Sequence, residues 1–101
     1  MSGTATFRIE PGHPSLPGHF PGRPIVPGVL LLEHVVVAIE AAHGPLGRLR
    51  LPRVKFARPL LPDETARIEF EPAGDPGVRR WRFRILGVDG SVLASGEVAA
   101  G

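Results

Sequence analysis

The sequence contains no cysteine and no tyrosine, one methionine, one tryptophan and, among its twelve basic residues, the single lysine Lys55. Without cysteine there are no disulfides, thiolate zinc sites, iron–sulfur clusters or cysteine nucleophiles. There is no run of eighteen apolar residues, and no basic stretch precedes an apolar one between Met1 and Arg8. The expectation is therefore a cytoplasmic protein with no membrane span and no export leader. The pI of 10.4 invites a nucleic-acid reading, yet the net charge is only +2. With so few groups titrating between neutrality and the arginines, a small cationic excess suffices to raise the pI. The arginines are dispersed and six aromatics offer no stacking surface, so no nucleic-acid partner is expected.

What is present fits one domain spanning residues 1–101, 43% hydrophobic and 22% charged. Thr4 to Ile9 alternates as a short strand, stopped by Pro11-Gly12. From Pro11 to Gly28 the chain carries six prolines and four glycines, a density that forbids helix and predicts a long, conformationally restricted loop. Pro27 suits a helix start, and Val29 to Ala42 is aliphatic apart from Glu33, His34 and Glu40. A helix apolar on nearly all sides is expected to be enclosed; His43, Gly44 and Pro45 end it. Strands follow at about Leu49 to Arg58, Thr65 to Glu71, Val78 to Leu86 and Ser91 to Ala99, with turns at Leu60 to Asp63, Gly74 to Gly77 and Asp89-Gly90. In the fourth strand Trp81, Phe83 and Ile85 alternate with Arg80, Arg82 and Arg84, which predicts a one-sided antiparallel sheet with three like charges in water. The order of elements describes an α+β domain whose antiparallel sheet wraps around one central buried helix.

The stretch Leu16 to Glu33 places His19 in a rigid loop and Glu33 in the second turn of that helix, fourteen residues on. Taken singly, His19 reads as a turn residue, and Glu33 is explained equally well by an ion pair to Arg23 or Arg58. Taken together they suit proton transfer. Histidine titrates near neutrality, and a carboxyl among Leu30, Leu31, Leu32, Val36 and Val37 is expected to be desolvated, with its pKa raised toward the range of a working acid. Gly28 at the helix start offers a backbone N–H at the positive end of the dipole, suited to an oxygen on which negative charge develops.

The segment Gly18-His-Phe-Pro-Gly-Arg-Pro-Ile-Val-Pro-Gly-Val-Leu-Leu-Leu-Glu33 resembles the signature of the 3-hydroxyacyl-acyl carrier protein dehydratases, and Val54-Lys-Phe-Ala-Arg-Pro-Leu-Leu-Pro-Asp63 is similar to a second block of that family. The two blocks cover about a quarter of the chain. The resemblance implies a hot-dog fold and dehydration of a 3-hydroxyacyl thioester, linked to acyl carrier protein or coenzyme A, to a trans-2-enoyl thioester. It assigns His19 to removal of the α-proton, Glu33 to protonating or orienting the departing hydroxyl, and the Gly28 N–H to the thioester carbonyl. It also implies a homodimer whose sites take His from one subunit and Glu from the other. Asp63 stands where the family has Gly, His34-Val-Val-Val where it often has Ala-Met-Ala-Gln, and only about ten residues precede Pro11. These departures point to a specialised polyketide or aryl-polyene branch.

His13, His34 and His43 are not assigned to the site; His34 points about 100° away from Glu33 around the helix. No His-x-x-x-His spacing occurs, and Glu40 to His43 lacks a second helix to complete a metal site, so neither metal nor cofactor is expected. Arg79, Arg80, Arg82 and Arg84 form either a solvated strand face or a dock for an acidic carrier protein. Phe20, Ile25 and Val26 either wall an acyl tunnel or pack the loop. Unpaired strand edges and apolar surface favour a two-fold dimer. The competing functions are a non-catalytic hot-dog subunit that binds acyl chains or a partner dehydratase, and a hot-dog thioesterase.

Overall fold

The computed structural model describes residues 2–10 and 26–100. His19, and with it His13, Phe20, Arg23 and Ile25, lies outside the described residues. The elements run β1 (Gly3–Arg8), α1 (Gly28–His43), β2 (Leu49–Arg50), β3 (Lys55–Phe56), β4 (Thr65–Pro72), β5 (Arg80–Leu86) and β6 (Val92–Ala100). The strands form one antiparallel sheet in the order β1-β4-β5-β6-β2, with β3 also paired to β6.

Alternation decides which face of the sheet meets the helix. Trp81, Phe83 and Ile85 of β5 are buried, as are Ala66, Ile68 and Phe70 of β4, and they form one core with Leu31, Val35 and Ile39 of α1. Burying a side chain of this kind contributes about 1.5–3 kcal/mol, so this seam between helix and sheet is the main source of cohesion. The opposite face of the sheet carries the arginines. They do not stand as bare like charges, as their spacing alone predicts, because β4 and β6 bring carboxylates into register. Glu69 lies opposite Arg84 and Glu71 opposite Arg82; the Arg84–Glu69 and Arg82–Glu71 pairs close at 2.6 and 3.1 Å, and Arg80 pairs with Glu97.

The helix begins at Gly28 behind Pro27, whose extended backbone (φ −58°, ψ 142°) starts the turn, and it ends where the Gly44 N–H, at φ 84°, donates to the Glu40 carbonyl at 2.8 Å. Its enclosure departs from expectation. Leu30, Leu31, Val35 and Ile39 are buried, whereas Val29 and Val37 are 61% and 62% exposed. A single sheet covers one side of a helix, and this chain has no second layer among the described residues. Residues spaced by four share a stripe, so 31, 35 and 39 face the sheet while 29, 33 and 37 face away.

The strand expected over Leu49 to Arg58 is broken. Arg50 pairs with Ala99 and Lys55 with Ser95, which leaves one more residue on this side than on β6. Pro52 has no N–H for a ladder, and Arg53 takes up the extra length in the left-handed region at φ 60°. The Pro52 carbonyl still accepts from the Glu97 N–H at 3.1 Å. At Asp89-Gly90 the hairpin forms as expected, with Gly90 at φ 83°. The Ser91 hydroxyl and N–H donate to the Asp89 carboxylate, and together with nearby Arg58 they hold its pKa below the usual value.

Candidate active site

The start of α1 is uncapped by any described side chain, which leaves the first helical N–H groups without a side-chain acceptor. The Phe56 ring lies directly over it. A Cβ on Gly28 would come within 2.7 Å of the Phe56 Cζ atom, so glycine is the residue that lets the ring approach this backbone. Gly28, Phe56, Val26, Leu31, Leu60 and Arg58 line a cleft of about 360 Å³. The Val26 N–H donates to the Leu60 carbonyl at 2.9 Å, tying the end of the proline-rich loop to the segment after β3. Val26 and Gly28 of the first sequence block are thus neighbours in space of Phe56 to Leu60 in the second.

Glu33 stands elsewhere. Its surroundings are Val29, Leu32, Val36, Val37 and Leu51, which line a second, strongly apolar cleft of about 400 Å³. Five residues separate it from Gly28, which turns the side chain about 140° around the helix and shifts it about 7.5 Å along the axis. In the chain by itself Glu33 is exposed, so the desolvation expected from its apolar neighbours is not supplied by this chain: they lie around it without covering it. Among the described residues it forms no ion pair; Arg58 instead reaches Asp89 at 3.8 Å.

The two described histidines, His34 and His43, have structural surroundings. His34 stacks on Phe7 of β1 with ring centroids 4.3 Å apart and planes 10° from parallel. His43 packs 5.1 Å from Trp81 and 6.1 Å from Phe70, so it belongs to the rim of the core as well as to the helix end. Among the described residues no group of three His, Asp or Glu could hold a metal ion, and no helix is long and apolar enough to cross a membrane.

A sequence model of the ApeI-like family, described as ApeI dehydratase, matches residues 2–97. The chain belongs to the ApeI-like dehydratase family. It is 30% identical over 109 aligned positions to the 3-hydroxyacyl-[acyl-carrier-protein] dehydratase FabZ of a Bradyrhizobium species, covering 98% of this chain and 72% of that protein. A FabZ of Rhodopseudomonas palustris strain HaA2 is 29% identical over the same span. Among solved structures, the dehydratase heterocomplex ApeI:P from Xenorhabdus doucetiae superposes with a TM-score of 0.82 at 22% identity, covering 97% of this chain and 85% of that one. The (R)-hydratase from A. caviae involved in PHA biosynthesis superposes at 0.71 with 18% identity, covering all of this chain and 95% of that one.

This ApeI-like chain is accordingly a hot-dog α+β domain and a dehydratase, a hydro-lyase, as its two sequence blocks imply. Its Asp63, where the wider family has Gly, adopts φ 71°. That is a left-handed conformation natural to Gly and tolerated by Asp, and the Asp63 carboxylate pairs with Arg8. Sequence reasoning did not single out Phe56 or Leu51 as lining residues. The signal for Phe56 was its place in the second block, two residues after Val54; for Leu51 there was none, because its position beside Glu33 depends on the break after β2.

Proposed function

We propose that the enzyme dehydrates a 3-hydroxyacyl thioester to the trans-2-enoyl thioester in a two-subunit site, with His19 and Gly28 from one subunit and Glu33 from the other. The observation that carries this reading is the separation of Gly28 and Glu33 around α1. One helix presents them to two different clefts, so a site containing both is most simply built across a two-fold axis, as a homodimer. Such a partner would also cover Val29 and Val37 and withdraw Glu33 from water.

In the proposed reaction the His19 imidazole takes the proton from C2. The electron pair moves toward the thioester carbonyl, whose oxygen accepts from the Gly28 N–H at the helix start as negative charge develops there. The pair then returns to form the C2–C3 double bond as the C3–O bond breaks. Glu33 gives its proton to the departing hydroxyl, so that water leaves. A positioned proton transfer of this kind contributes about 10²- to 10⁴-fold.

The substrate is an acyl carrier protein or coenzyme A thioester, and the setting a cytoplasmic pathway of fatty acid, polyketide or aryl-polyene type. No cofactor is required for these steps. The test is conversion of 3-hydroxyacyl thioesters followed at the enoyl absorbance, for the wild type beside His19→Ala and Glu33→Gln. Activity in the wild type and losses of about 10²-fold or more in both variants support the assignment; a folded wild type inert on both kinds of thioester overturns it. Mixing the two variants is a sharper check. In a shared site each heterodimer recovers one intact His–Glu pair, so mixed variants regain activity that neither has alone.

A further inference from the structure

We infer that Phe56 is a positioning residue for the thioester: its ring holds the Gly28 backbone in place and walls the carbonyl oxygen bound there off from water. This inference rests on the dehydratase reading above, in which the Gly28 N–H meets that oxygen.

Phe56 is a poor fit to the role of a core side chain. It is 54% exposed, and among the described residues it belongs neither to the buried core nor to the side chains packed against it. Yet the chain holds it firmly. Lys55 and Phe56 pair with Ser95 and Ala94 of β6, and the Leu93 carbonyl accepts from both the Ala57 N–H at 2.8 Å and the Arg58 N–H at 3.1 Å. A Cβ on Gly96 would come within 3.0 Å of the Val54 Cα, so glycine there lets the segment leading into β3 lie close against β6. A very short strand is thus fixed along its whole length, and the ring it carries lies on the start of α1.

The contact is made by the distal end of the ring: a Cβ on Gly28 would lie 2.7, 2.9 and 3.3 Å from the Phe56 Cζ, Cε1 and Cε2 atoms. The Leu30 N–H is already turned onto the Pro27 carbonyl at 3.0 Å. Among the described residues, the Gly28 and Val29 N–H groups are therefore the ones left for an acceptor at this end of the helix. Val26, Leu31 and Leu60 line the same cleft, with Arg58 as its one charged residue. An N–H donor open to water does little for a developing oxyanion, because water competes for both partners. The same donor in a dry, fixed site is worth far more, and the ring supplies both conditions. Phe56 and Gly28 belong to the same chain, so each half of a two-subunit site carries its donor and its wall as a unit, independently of the Glu33 that the partner brings.

The test compares the wild type with Phe56→Ala, Phe56→Leu and His19→Ala. Turnover is followed with a 3-hydroxyacyl thioester of N-acetylcysteamine, and the trans-2-enoyl product, isotope-labelled at its carbonyl, is examined bound to each protein by difference infrared spectroscopy. On the wild type the carbonyl stretch is expected below its value in water, because the Gly28 N–H polarises the bond. Phe56→Ala is expected to lower kcat by about 10- to 100-fold with KM changed by no more than about threefold, and to return the stretch toward its value in water. Phe56→Leu, which keeps an apolar wall, should recover most of both. His19→Ala should lower kcat without moving the stretch, so the infrared signal separates a misplaced carbonyl from a lost base. An unmoved stretch in Phe56→Ala, whatever happens to kcat, overturns the positioning role and leaves the dehydratase reading standing. So does a Phe56→Ala protein that sediments as a smaller species than the wild type, since the ring is then a subunit contact. A folded wild type that turns over no 3-hydroxyacyl thioester defeats the dehydratase reading, and this inference with it.

Discussion

The two sides of α1 are made of the same aliphatic residues and behave as different surfaces. Leu31, Val35 and Ile39 meet the sheet and are at most 2% exposed; Val29 and Val37, each two residues from a neighbour on the other side, are more than half exposed, with Glu33 between them. The difference teaches that hydrophobicity determines that a helix face will be covered, and leaves open by what. One side is closed by the chain's own strands. The other is an apolar surface with a carboxylate at its centre, which in the proposed dimer is closed by another subunit.

That contrast can be broken from either side. The largest effect is expected from Val35→Asp, which puts a charge where the side chain is 0% exposed; an uncompensated buried charge costs at least several kcal/mol, enough to abolish the cooperative transition seen by circular dichroism. Glu33→Gln should leave thermal unfolding nearly unchanged and lower kcat by about 10²- to 10⁴-fold. Val37→Asp, at an exposed site, is expected to leave circular dichroism native while sedimentation shows the dimer dissociating and activity falling with it. A Val37→Asp protein that remains dimeric and active would mean that the open stripe is not the interface. Ile39→Val, which removes one methylene from the closed side, should cost about 0.5–1.5 kcal/mol in denaturant unfolding. Smallest of all, Arg84→Ala on the exposed face of the sheet should cost at most about 1 kcal/mol.

Much of this was legible in the residues. Trp81, Phe83 and Ile85 reveal the inner face of β5 by alternation alone, Pro27 and Gly44 bracket the helix, and the segment from Gly18 to Glu33 carries the family resemblance. What the residues concealed depends on partners distant in sequence. Arg82 and Arg84 read as bare charges until the register of β4 sets Glu71 and Glu69 opposite them. The exposure of Glu33 was hidden because an all-round aliphatic helix has the same composition whether its cover comes from its own chain or another. The interruption near Pro52 and Arg53 was missed because a proline in an alternating run is compatible with an edge strand; only the pairing with β6 reveals the extra residue.

That interruption has a consequence for the newly made chain. Among the described residues no strand pairs with the outer margin of the sheet at residues 49–56, and an unbroken strand there would be a template for stray strands to add to it. The margin instead offers two runs of two residues, parted by a proline and a left-handed turn and flanked by positive side chains that repel their own kind. A lone subunit therefore has little continuous backbone with which to recruit another into a fibre.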